Sequence, residues 1–140
     1  MGRILCATRG GEASLRTQDA AIALAKEQND ELVFLFVADI SFLNQTAAPL
    51  VVDVEERLAK MGRFQLAMAQ ERANAQGVVA QAVVRRGRLQ AELVAAARDL
   101  AVDLVILGRP LDRQAIFDDT ALQAFAAGLR AVTGTEVRIL

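Results

Sequence analysis

Short apolar runs and segments of helical periodicity alternate along the whole chain, and this alternation restricts the fold more than any single motif does. Five stretches read as strands: Arg3 to Thr8, Glu31 to Ala38, Val78 to Val84, Val102 to Leu107 and Glu136 to Leu140. Glu31 to Ala38 is almost wholly Leu, Val and Phe, the composition of a strand covered on both faces. Helical patterns fill the gaps. Glu12 to about Gln28 carries Ala20, Ala21, Leu24 and Ala25 on one face. Arg88 to Ala101 repeats Leu89, Leu93, Ala97, Leu100 and Ala101. A last helix is expected over Ala121 to Val132, stopping at Gly134.

Between the second and third strands, Asp39 to Leu50 reads as a loop, broken by Asn44, Gln45, Thr46 and Pro49. A long helix is expected to start at Asp53, which with Glu56 has capping-box spacing, and to end at Gly77. Its apolar positions, Met61 and Met68 included, read as core packing. Arg85-Arg86-Gly87 closes the third strand. The order β-α-β-α-β-α-β-α-β predicts one three-layer α/β domain over residues 1–140. It has a five-stranded parallel sheet, helices on both faces and right-handed crossovers.

Composition removes several kinds of chemistry. The 140 residues hold no histidine, so the commonest general base and zinc ligand are missing. The single cysteine, Cys6, excludes an internal disulfide and a multi-cysteine metal site, and its strand position makes it a small core residue. A net charge of −1 argues against a general nucleic-acid binder. No apolar run approaches the roughly 18 residues of a membrane span. The first residues enter a strand too soon for a signal peptide, so the expected location is the cytoplasm. Gly-x-Ser-x-Gly, Cys-x-x-Cys and Walker patterns are lacking, and the only lysines, Lys26 and Lys60, fall on helices.

Val102-Asp103-Leu104-Val105-Ile106-Leu107-Gly108 runs a strand into a glycine. Ligands of parallel α/β sheets gather outside such carboxyl ends. Together with Ile4 to Ser14, Val33 to Ala38 and the Arg86-Gly87 helix block, this stretch resembles the universal stress protein (UspA) family over nearly the whole chain. The resemblance implies an adenine nucleotide alpha hydrolase-like fold, and often a homodimer joined through the last strand. Residues 136–140, short, terminal and half apolar, fit that role. It also implies a nucleotide cleft built from an aspartate after the first strand and a phosphate loop, Gly-x2-Gly-x9-Gly-Ser/Thr, after the fourth.

This chain departs from that pattern at both ends of the cleft. Arg9 stands at the aspartate position, a fixed donor in place of an acceptor, while the following glycine is kept as Gly10. Gly108 matches the first loop glycine, and Leu111 replaces the second. The third glycine and its hydroxyl residue fall on Ala121-Leu122 or, with a two-residue deletion, on Asp119-Thr120. Pro110 removes one backbone donor, and Asp118 and Asp119 near the last helix cap it and repel phosphate.

ATP or AMP binding of the usual kind is therefore not expected, no cofactor or metal is assigned, and no catalytic residue is identified. The candidate cleft is Arg9, Gly10, Gly108 and Arg109. Two readings of its arginines stand: a small-anion or mononucleotide site, or, preferred, solvation and pairing of Arg9, Arg109, Arg113, Arg85, Arg86 and Arg88 with Asp39, Asp112, Asp118 and Asp119. The function expected is a non-catalytic, dimeric regulatory or interaction module with an unidentified protein partner. A nucleotide- or small-anion-binding stress protein with an altered cleft, capable of weak ATP hydrolysis, is the alternative.

Overall fold

The structure is a computed structural model that describes residues 2–8, 12–39, 48–108 and 119–140. Strands β1 (Arg3–Ala7), β2 (Glu31–Ala38), β3 (Ala80–Arg86), β4 (Leu104–Leu107) and β5 (Glu136–Ile139) alternate with helices α1 (Glu12–Gln28), α2 (Ala48–Ala75), α3 (Leu89–Asp99) and α4 (Asp119–Thr133). All pairings are parallel, in the order β3-β2-β1-β4-β5.

Strand parity divides the core in two. Ile4, Cys6, Leu32, Phe34, Phe36, Leu104 and Ile106 meet Ala21, Ile22 and Ala25 of α1 and Leu66, Ala69 and Ala73 of α2. Leu5, Val33, Leu35, Val105 and Val137 meet Leu93 and Ala97 of α3 and Leu122, Ala126 and Leu129 of α4. At Gly62 of α2 an added Cβ would lie 2.3 Å from the Phe36 ring, so that glycine lets α2 approach β2 closely.

Each of the four helices runs into a left-handed residue: Asn29, Gly77, Ala101 and Gly134. After the first three, paired backbone bonds of the Schellman kind close the helix. At α2 these are Val78 N–H to Ala73 O at 2.9 Å and Gly77 N–H to Asn74 O at 3.0 Å.

That closure corrects two expected boundaries. Val78 is buried as the apolar residue of the α2 cap, and β3 starts at Ala80 and continues through Arg85 and Arg86. Ala101 likewise lies beyond α3, in the turn into β4. The start of α2 differs further. It begins at Ala48, with Pro49 in the first turn where its missing N–H costs nothing, so Asp53 and Glu56 lie inside the helix and form no capping box. Met61 and Met68 are also not core. Gly62, Leu66, Ala69 and Ala73 take the buried face, and both methionines are about half exposed, at 46% and 49%.

Candidate functional site

The chain turns in opposite directions from two adjacent strands. From β1 it crosses to β2 on one side, and from β4 to β5 on the other. The carboxyl ends of β1 and β4 therefore flank the switch point where open α/β sheets take ligands.

Four polar side chains are buried among the described residues: Thr8, Ser14, Thr17 and Gln18. All lie just after β1 or in the first half of α1. Gln18 follows Ser14 by four residues and precedes Ala21 and Ala25 on the same helical face, so the spacing that buries the alanines buries the amide too. Gln18 Nε2 donates to Thr8 Oγ1 at 2.8 Å, and Arg72 Nη2 of α2 donates to Gln18 Oε1 at 2.6 Å. Arg72 also pairs with Asp19 of α1 at 3.3 Å. Because the Thr8 oxygen accepts from Gln18, its own hydrogen is left to donate at the strand end. A continuous polar line thus joins α2 to the crevice.

Gly108 ends β4 directly beneath α1. An added Cβ would stand 2.4 Å from Thr17 Oγ1 and 3.3 Å from Thr17 Cβ. A side chain there would force the Thr17 hydroxyl to swing aside, with Thr17 Cβ still 3.3 Å away, so this glycine has a packing cause that does not involve a ligand.

Asp39, just after β2, does a structural task on the same rim. Its Oδ2 accepts the Leu89 N–H at 2.8 Å, which caps α3, because Arg88 at the cap position makes no side-chain cap bond.

Of the expected cleft residues, Gly108 is described, whereas Arg9, Gly10 and Arg109 lie outside the described residues, as do Leu111, Asp112, Arg113 and Asp118. The rim arginines that are described pair with other acids than those expected. Arg85 meets Glu92 at 3.1 Å and Asp99 at 3.2 Å, and Arg86 lies 3.7 Å from Glu55. With Arg85 and Arg86 inside β3, their near neighbours are residues of α3 and α2.

Thr8, Thr17, Gln18 and Arg72 were not singled out from the sequence. The signal for Gln18 was present, a polar residue in register with a buried alanine stripe. Cys6 is fully buried, and desolvation pushes its thiol up to about 12 from an ordinary 9.0, so it does not supply a nucleophile near neutral pH. Among the described residues no group of three or more His, Cys, Asp or Glu side chains could hold a metal ion, and no helix is long and apolar enough to cross a membrane.

Fold and crevice together define a doubly wound α/β domain of the type that binds ligands at its switch point. Residues 1–113 match the sequence model of the Universal stress protein family, and the chain belongs to that family. It is 30% identical to Universal stress protein YxiE of Bacillus subtilis (strain 168) over 114 residues, 76% of this chain and 77% of that protein. The fold matches universal stress protein UspA from Lactobacillus plantarum with a TM-score of 0.80 at 14% identity, over 99% of this chain and 97% of that one. It also matches a universal stress protein solved in complex with cAMP, with a TM-score of 0.65 at 20% identity, over 99% of this chain and 96% of that one.

Proposed function

We propose that this chain is a non-catalytic universal stress-type regulatory module whose crevice does not hold ATP in the usual way. The observation that carries the reading is Gly108. It is the loop glycine the sequence keeps, and Thr17 accounts for it without any phosphate. Loss of the second loop glycine to Leu111, of a backbone donor at Pro110 and of the acidic position to Arg9 supports the same reading. The module works as a cytoplasmic homodimer through residues 136–140 and recognises a protein partner. In support, β5 pairs with β4 on one edge only, and Leu140 after it is 45% exposed.

A second reading, a small anion or adenine mononucleotide held by Arg9 and Arg109, draws support from the Thr8 hydroxyl at the strand end. The relative solved with cAMP points the same way.

Native mass spectrometry and thermal shift with ATP, AMP and cAMP, each with and without Mg2+, separate the two. The first reading predicts no copurified nucleotide and no saturable shift with any of them. A saturable shift with AMP or cAMP that disappears in Arg9→Gln/Arg109→Gln establishes the second. A saturable shift with ATP overturns the first. In the same spectra, recorded at low protein concentration, the expected mass is two copies, falling to one in Leu140→Asp.

A further inference from the structure

The outward face of α2 carries an apolar stripe that the fold leaves uncovered. Phe64 is 68% exposed, with Met61 and Met68 at 46% and 49% beside it. At 3.6 residues per turn these three share one side of the helix, roughly within 60° of Phe64. Lys60 and Glu71 flank the stripe on its other side, one toward each end. Both are exposed, and neither has an ion pair or hydrogen bond among the described residues.

We propose that this face docks a second copy of the same chain through an antiparallel α2–α2 contact whose two-fold axis passes at Phe64. The charges argue for that occupant. Under this two-fold, Phe64 meets the partner's Phe64, Met61 faces the partner's Met68 on one flank, and Lys60 shares the other flank with the partner's Glu71. The partner's Glu71 stands roughly 4.5 Å further along the axis than Lys60, within reach of its ammonium. The two-fold repeats the contact, so both Lys60–Glu71 pairs form together, and exposed Arg57, seven residues before Phe64 on the same face, comes level with the partner's Glu71 as a second cation. The methylene stem of Lys60 runs beside the Phe64 pair while its charged head reaches the carboxylate. A parallel alignment turns each charged flank onto the partner's methionines and leaves Lys60 and Glu71 without an opposite charge, which disfavours it. Carrying both signs, the face suits its own copy better than a surface of a single charge. Methionine and aromatic side chains at the centre are the residue types that interface cores favour.

This contact is independent of the β5 edge and lies on a different layer of the molecule. Sedimentation velocity at low and high protein concentration, with circular dichroism to confirm folding, tests it in the full chain. Leu140→Asp, which removes the β5 contact, still dimerises at high concentration. Adding Phe64→Glu to it leaves a single copy, and since Phe64 is largely exposed the fold is kept. Lys60→Glu or Glu71→Lys, each added alone to Leu140→Asp, weakens the dimer at least tenfold, and the two together recover part of the loss, because reversing both ends rebuilds the 60–71 pairs while Arg57 stays beside position 71. If the β5 contact fails, the wild type itself dimerises through α2, and Phe64→Glu makes it a single copy while Leu140→Asp changes nothing. Leu140→Asp that stays a single copy at every concentration overturns the α2 contact. An assembly indifferent to Phe64→Glu in both backgrounds, or a double reversal no tighter than either single reversal, overturns it as well.

Discussion

The two ends of the sheet are held together in different ways. At the amino end, acidic side chains and one arginine tie neighbouring segments while remaining open to solvent. Asp30 accepts the Gly2 N–H at 2.8 Å, and Asp103 accepts the Arg3 N–H at 2.8 Å. The Arg3 guanidinium reaches Leu100 O at 2.6 Å and Glu31 at 2.9 Å. Water can replace most of these partners, so each bond contributes little. At the carboxyl end the polar groups are buried and bonded to other protein groups. Gln18 links Thr8 to Arg72, and Thr17 sits on Gly108. A polar group kept out of water costs stability unless it is bonded, so damage at this end is felt much more than at the other. The ligand-bearing end of the family fold is thus the less forgiving end of this molecule.

Substitutions can break that contrast or sharpen it. The largest effect is expected at Gly108. Gly108→Val should lose about 3 kcal/mol in urea unfolding with no nucleotide present, through overpacking against Thr17. Gly108→Ala should lose less and recover partly when Thr17→Ala is added. A neutral Gly108→Val would mean that the glycine answers to a ligand alone. Gln18→Leu should follow at about 2 kcal/mol, because it takes the donor from the buried Thr8 hydroxyl and leaves Arg72 only Asp19 as a partner on α1.

Next comes alkaline pH. The folded chain holds the Cys6 proton up to about 12, while an unfolded chain releases it above 9.0, so stability is complete below pH 9.0 and declines as pH rises beyond it. The slope is about 1.4 kcal/mol per pH unit. The chain has no tyrosine to titrate in that window. Denaturation midpoints between pH 9 and 10 should show the slope in the wild type and lose it in Cys6→Ala.

The smallest effect has the opposite sign and belongs to the amino end. Ala101 adopts a left-handed φ of 49° in the turn into β4, a conformation that penalises a Cβ. Ala101→Gly should raise stability by about 1 kcal/mol, measured as a higher urea midpoint with an unchanged slope.

Much of the frame was legible in the residues. α1 and β2 fall where periodicity and the run of Leu, Val and Phe put them, since Asn29 can take the left-handed turn between them. The start of α2 was not legible, because Pro49 breaks a helix interior but opens a first turn, and the sequence alone does not say which applies. β3 was read two residues early, because Val78 is apolar for the sake of a helix cap and not a strand. The site was half legible. Gly108 could be placed by pattern, but its cause could not, since Thr17 is 91 positions away in the chain and nothing local joins them. The Arg72–Gln18–Thr8 line escaped for the same reason. It spans two helices and a strand, and only the fold brings them together.

The claim that the crevice no longer accommodates ATP is tested most directly by restoring what it lost. Isothermal titration of Mg-ATP into the wild type and into Arg9→Asp/Leu111→Gly is the measurement. The account predicts no saturable heat from the wild type and a saturable isotherm from the restored variant. Tight binding by the wild type, unchanged by those two substitutions, would contradict it.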